Sequence, residues 1–68
     1  MADKVYKVIE VVGTSESSIS KAIETAVDKA AETVRHLDWF EVAQIRGRID
    51  DGKVKWYQVT CKVGFAME

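Results

Sequence analysis

Three side chains in this sequence offer chemistry that a packed core does not need: Trp39, Arg46 and Gln58. Trp39 stands in Leu37-Asp38-Trp39-Phe40, where a helical repeat gives way to strand alternation. A short chain cannot cover an indole at such a junction on every side. The ring therefore packs under a neighbouring subunit or presents a flat face to another molecule. Arg46 brings a planar cation with a fork of donors, and Gln58 a carboxamide with acceptor and donors on adjacent atoms. Taken singly, each has an ordinary explanation: an interface aromatic, a surface charge, an inter-subunit hydrogen bond.

The other candidates carry less. Asp38 and Glu41 are the carboxylates nearest Trp39, and their spacing does not make a general acid–base pair, so no catalytic residue is assigned. Cys61 falls in an apolar alternation and reads as a small buried hydrophobe, not a nucleophile. One cysteine and one histidine are too few for a structural zinc site, and no metal ligand is assigned. His36 reads as a cation at a helix C-terminus, and Trp56 as a packing residue at a subunit contact. Gly13-Thr14-Ser15 before a helix has the makings of a phosphate cradle. Without a longer glycine-rich loop, an ordinary cap is the simpler reading.

The elements that must position these residues follow from periodicity. Lys4 to Val12 is rich in Val and Ile with apolar residues on both faces, which suits a strand covered on both sides and ended by Gly13. Ser and Thr between Thr14 and Ser18 supply an N-cap, with Ser15 favoured. Ile19, Ala22, Ile23, Ala26, Val27, Ala30, Val34 and Leu37 form one stripe at spacings of three and four, predicting a helix to about Leu37. Its alanines let a sheet approach closely.

Trp39–Ile49 reads as the second strand and Lys53–Ala66 as the third. In the third, Tyr57, Val59, Cys61, Val63 and Phe65 make one apolar face that belongs on the helix. Directly opposed residues of an antiparallel pair share a face. If the odd faces of both strands meet the helix, opposed numbers must add to an even value. That requires an odd loop, and Asp50-Asp51-Gly52 supplies three residues; a two-residue turn would set Ile45 against Gln58. Arg46 and Gln58 then share the face turned away from the helix. The fold class is α+β: β-α-β-β, a three-stranded antiparallel sheet wrapped around one long helix.

Sixty-eight residues allow one domain, spanning 1–68, and make a single core marginal. With no disulfide or metal to staple it, self-association is the expected remedy. Eleven acidic against ten basic residues leave a net charge of -1, without the basic excess of a nucleic-acid binder. No apolar run reaches membrane-spanning length, and no signal-peptide core opens the chain. A cytoplasmic protein with a reduced thiol is expected.

Taken together and in order, Gly13-Thr14-Ser15, Arg35 to Val42 (RHLDWFEV), Ile45-Arg46-Gly47, Tyr57-Gln58-Val59 and Val63-Gly64-Phe65 resemble the dodecins. These are small flavin-binding proteins that assemble as hollow dodecamers, and the likeness runs from about Val5 to Phe65. The resemblance implies a homododecamer. It also implies paired flavins at a two-fold axis, sandwiched between symmetry-related copies of the tryptophan that Trp39 matches. Gln58 matches a glutamine on the polar edge of the isoalloxazine, and Arg46 an arginine near the ring in bacterial members. FMN is the implied cofactor, with riboflavin and FAD as alternatives; some bacterial members also hold coenzyme A, for which no residues are assigned here.

An electron-poor flat ring on an electron-rich indole is a favourable pairing, and a carboxamide can pair twice with the flavin pyrimidine edge. The implied role is storage and photoprotective sequestration, not catalysis. A flavin-dependent oxidoreductase would need an open flavin face, a substrate pocket and an acid or base. A structural cage with incidental flavin is the third reading.

Overall fold

The computed structural model describes residues 3–67. Strand β1 (Val5–Ser15) leads to helix α1 (Ile19–Ala31), then strands β2 (Leu37–Asp50) and β3 (Lys53–Met67). The strands form one antiparallel sheet in the order β1-β3-β2, so the last strand is the middle one. This is the β-α-β-β class expected from the sequence. Among the described residues no helix is long and apolar enough to cross a membrane.

The core is narrow. Ala22 of helix α1 packs with Val59, Cys61 and Val63 of β3, Ile9, Val11, Ile23 and Leu37 pack at the edge, and Ala26 and Ala30 are buried on the same helix. Fully burying each of the two valines is worth ~1.5–3 kcal/mol. Burial also pushes the Cys61 thiol above its ordinary pKa, which keeps it protonated and inert.

Gly13 does not end the first strand; it sits inside β1, which runs on to Ser15. The helix crosses directly over it. A Cβ on Gly13 would collide with the Ala22 carbonyl oxygen and lie 2.9 Å from Ala26 Cβ. Because Thr14 and Ser15 pair with Gln58 and Tyr57, the helix start shifts along the chain. Ser18, not Ser15, is the N-cap: its Oγ accepts from Lys21 N–H at 3.0 Å. Ser15 Oγ instead accepts from Ser17 N–H at 3.0 Å, holding the bend before the helix.

The helix also stops earlier than its apolar stripe. It ends at Ala31, where Thr33 and Val34 N–H groups both reach back to the Ala30 carbonyl. His36 then takes a left-handed backbone with φ 61°, so it lies beyond the last helical turn and away from the helix-end position assigned to it. Leu37 still reaches the core, but from β2. A residue at the right spacing for a helical face can be delivered by the next element.

The turn corrects the loop length and the register but preserves which faces coincide. Asp51 (φ 54°) and Gly52 (φ 76°) form a two-residue hairpin turn with both residues left-handed, the type-I′ pattern. Asp50 therefore faces Lys53 and Ile49 faces Val54. The pairing then shifts by one residue at Lys55, so that Ile45 opposes Val59 and Arg46 opposes Gln58. The odd residue required by the apolar faces is a bulge in β3, not a third loop residue.

Within the chain, helix α1 packs chiefly against β1 and β3, with β2 contributing at the edge of the core. Leu37 is the one residue of β2 that is not exposed; Phe40, Ile45 and Ile49 are 50%, 52% and 73% accessible. The even face of β1 is open too, with Val8 and Val12 about half exposed. The accessible surface is 5279 Å², where a compact monomer of this mass would show about 4,300 Å². Apolar surface of this extent needs a cover.

Candidate functional site

The two edge strands pair with β3 in matching registers, so side chains on the open face line up in rows. One row is Thr14, Gln58 and Arg46 from β1, β3 and β2. Arg46 Nε donates to Gln58 Oε1 at 2.6 Å, and Gln58 Nε2 donates to Thr14 Oγ1 at 3.3 Å. Arg46 Nη1 makes a longer contact of 3.4 Å to Gln44 Oε1. These bonds fix which end of the Gln58 amide is oxygen and which is nitrogen. Each end keeps unused capacity: a lone pair on Oε1 and an N–H on Nε2. Both side chains thus share the face assigned to them from the sequence, already in contact.

Trp39 occupies another row of the same face, with Gly64 and Val8. It reaches that face through a bulge. Alternation carried unbroken from Ile45 would put Trp39 on the helix side. The shift between Val42 and Gln44 reverses the faces, so Val42 and Phe40 oppose Cys61 and Val63 while Trp39 opposes Gly64. A second shift at Asp38 restores the parity that takes Leu37 into the core. The sequence shows strand-forming residues through this stretch, and nothing in it marks where the bulges fall.

Gly64 is the seat of the indole. A Cβ at this position would collide with Cε2 and Cζ2 of Trp39 and stand 2.8 Å from Cη2. The ring therefore lies against the bare backbone of the middle strand. Its outer side stays 40% accessible. Tyr6 flanks it with ring centroids 6.1 Å apart and planes at 52°. The Tyr6 hydroxyl donates to Asp38 Oδ2 at 3.1 Å, and that bond, with the carboxylate charge, holds the phenol pKa above its ordinary value. Sequence reasoning did not single out Tyr6, Gly64 or Thr14 for this site. Glycine opposite tryptophan across two strands is the signal available, and it is readable only once the register is known.

The structure does not bring Trp39 to Gln58 and Arg46. From Gly64 to Gln58 is six residues along β3, about 20 Å at strand rise. Between them lie the row of Glu10, Lys62 and Glu41 and the row of Val12, Thr60 and Gln44. No single flat ring system touches both ends within one chain. A shallow depression beside Trp39, bordered by Val8, Glu10, Glu41 and Lys62, marks one end of the surface.

Comparison with known proteins places this geometry in context. The family model described as Dodecin matches residues 5–68. A dodecin of Thermus thermophilus is 55% identical over 65 residues, covering 96% of this chain and 94% of its own. The solved structure of a dodecin from Streptomyces coelicolor superposes with a TM-score of 0.91 at 50% identity, covering 100% of this chain and 97% of that one. A dodecin from Streptomyces davaonensis gives 0.90 at 40% identity, with 98% of each chain covered.

Proposed function

The chain belongs to the dodecin family, small flavin-binding proteins, and from that premise we propose that it stores flavin in closed assemblies of its own copies. The observation that carries the reading is the Trp39 shelf. An indole is seated on the backbone at Gly64 and stays 40% exposed, on a sheet face that the chain does not cover itself. Stacking on such a face is worth ~1–3 kcal/mol per ring, by analogy with bases on aromatic side chains. FMN is the flavin proposed, with riboflavin and FAD as competitors for the same shelf.

The spacing within one chain supports a composite site. Trp39 supplies the platform from one copy, and Gln58 and Arg46 arrive from another, because about 20 Å of strand separates them in a single chain. Gln58 reads the polar edge with the lone pair and N–H that Arg46 and Thr14 leave free. Arg46 has its Nη2 group available for an anionic phosphate. A dodecamer is the proposed assembly, consistent with the uncovered β2 and with closed point-group symmetry. Coenzyme A is a further candidate ligand that no residue pattern here singles out.

When bound, flavin supplies an electron-accepting chromophore. Trp39 supplies an oxidisable partner in contact with it, which favours quenching over photochemistry. Acid–base residues poised for turnover are not in evidence beside the indole. Asp38 is engaged by Tyr6, and Glu41 shares its row with Lys62. We therefore read the chain as a binding protein and not an enzyme.

The test is a fluorescence titration of FMN with wild type, Trp39→Phe and Trp39→Ala, with particle size measured in parallel. Wild type should quench FMN. Trp39→Phe should bind modestly more weakly with brighter bound flavin, and Trp39→Ala should lose affinity by ~1–3 kcal/mol. Wild type leaving FMN fully fluorescent, or Trp39→Ala quenching as well as wild type, would return Trp39 to an ordinary interface aromatic.

A further inference from the structure

Tyr6 and Asp38 share the corner of Trp39 but have no part in stacking. Tyr6 comes from β1 and Trp39 from β2, on opposite sides of the middle strand. They meet because β3 presents Gly64 and Ala66 between them, neither of which has a side chain large enough to keep the rings apart. The result is the 6.1 Å approach of phenol to indole. Asp38 is the extra residue of the bulge between Trp39 and Leu37, and its carboxylate accepts the Tyr6 hydroxyl at 3.1 Å. An oxidisable phenol thus touches the indole with its proton already aimed at a base.

We propose that Tyr6 is a second electron donor behind Trp39, and that Asp38 is the acceptor of the Tyr6 proton. The physiological oxidant rests on the flavin reading above; the geometry rests on this chain alone. After a one-electron oxidant takes an electron from Trp39, the indole is a radical cation. Tyr6 returns that electron, its O–H bond breaks, and the proton moves along the existing hydrogen bond to Asp38. The products are neutral indole, a neutral phenoxyl radical and a neutral carboxylic acid, so electrons, protons and charge balance.

A phenol that loses an electron but keeps its proton becomes a very strong acid. Without a base in place the transfer is uphill; with one, the phenol is a better donor than the indole. A cellular thiol then restores Tyr6 by hydrogen-atom donation, and Asp38 releases its proton to solvent. The device spares the platform: an oxidised Trp39 is refilled before dioxygen can add to it.

The test needs no flavin. Azidyl radicals from pulse radiolysis oxidise tryptophan selectively, and Trp56→Phe makes Trp39 the one indole in the chain. The tryptophanyl absorption should decay as the tyrosyl band grows, in a first-order process independent of protein concentration. Tyr6→Phe, which keeps the ring and its packing, should abolish that conversion. Asp38→Asn still accepts a hydrogen bond but takes no proton, and should slow it by on the order of 100-fold. The other tyrosine, Tyr57, lies about 23 Å away along β3 of the same chain but next to the Gln58 that another copy brings, so Tyr57→Phe, which should leave the conversion intact, is the control.

Conversion that is absent in the Trp56→Phe protein, or that persists at the same rate in Tyr6→Phe, overturns the proposal. An unchanged rate in Asp38→Asn removes Asp38 from it. FMN quenching measured on the same samples separates the two readings: lost quenching with intact conversion sinks the flavin assignment and leaves the Tyr6–Asp38 relay standing.

Discussion

Substituting Gly64 by alanine tests the Trp39 shelf without touching the tryptophan. The Gly64 backbone lies outside the left-handed region, so alanine is conformationally allowed there. On backbone grounds alone the change should stabilise the chain by ~0.4–1 kcal/mol, because glycine loses more freedom on folding. The new methyl meets the indole instead. With Cη2 at 2.8 Å and two ring carbons closer still, the ring must lift by roughly 1 Å to reach ordinary contact. Overpacking of this kind costs ~1–3 kcal/mol. The net expectation is a loss of about 1–2 kcal/mol, together with weaker flavin stacking on a tilted ring.

The sign should invert when the ring is gone. In a Trp39→Ala background, Gly64→Ala has nothing to strike and should become neutral or stabilising, giving a coupling of ~1–3 kcal/mol between two residues that are 25 apart in sequence. Urea unfolding of the four proteins at one fixed concentration measures it, since stability and assembly are linked. The same loss in both backgrounds would mean that the indole does not rest on Gly64. The shelf, and the functional reading built on it, would then fail.

Gly13→Ala should be worse than Gly64→Ala, because its methyl meets the Ala22 backbone carbonyl, which cannot rotate away; a loss of about 3 kcal/mol or more, read by urea unfolding, is expected. Arg46→Glu should weaken FMN more than riboflavin and, by releasing Gln58 Oε1, weaken both to some degree; equal losses in parallel titrations would take the phosphate away from Arg46. His36→Gly should stabilise by about 1 kcal/mol in thermal or urea unfolding, since glycine adopts the left-handed backbone found there without strain. The raised Tyr6 pKa also fixes a sign: its contribution is fully present below pH 10.0, the unfolded value, and is lost as pH rises through the higher folded value. Wild type should therefore lose stability faster than Tyr6→Phe as pH is taken upward from 10.0, measured by denaturant midpoints.

The sequence by itself determined the element order, the helix-facing residues of β3 and the face that Arg46 and Gln58 share; their direct pairing came from the register. Each follows from a period: apolar residues at three and four make a helix, alternate ones make a strand, and burial demands that apolar faces coincide. That demand fixed which faces coincide, but the three-residue loop inferred from it would have set Ile45 against Tyr57, where the chain sets it against Val59. The chain met it with a two-residue Asp51-Gly52 turn and a bulge at Lys55, because left-handed Asp-Gly suits the strand twist and a bulge costs little at an exposed edge.

What only the tertiary structure decided lies where periodicity is broken. One bulge in β2 turns Trp39 to the open face, a second returns Leu37 to the core, and no residue type announces either. Gly13 and Gly64 look alike in sequence, yet one admits a helix backbone and the other an indole, which depends on what crosses above each. Helix α1 stops at Ala31, Leu37 reaches the core from a strand instead, and the rest of β2 stays exposed. The separation of Trp39 from Gln58 is also a property of the register, since it is fixed by which β3 residue each one faces.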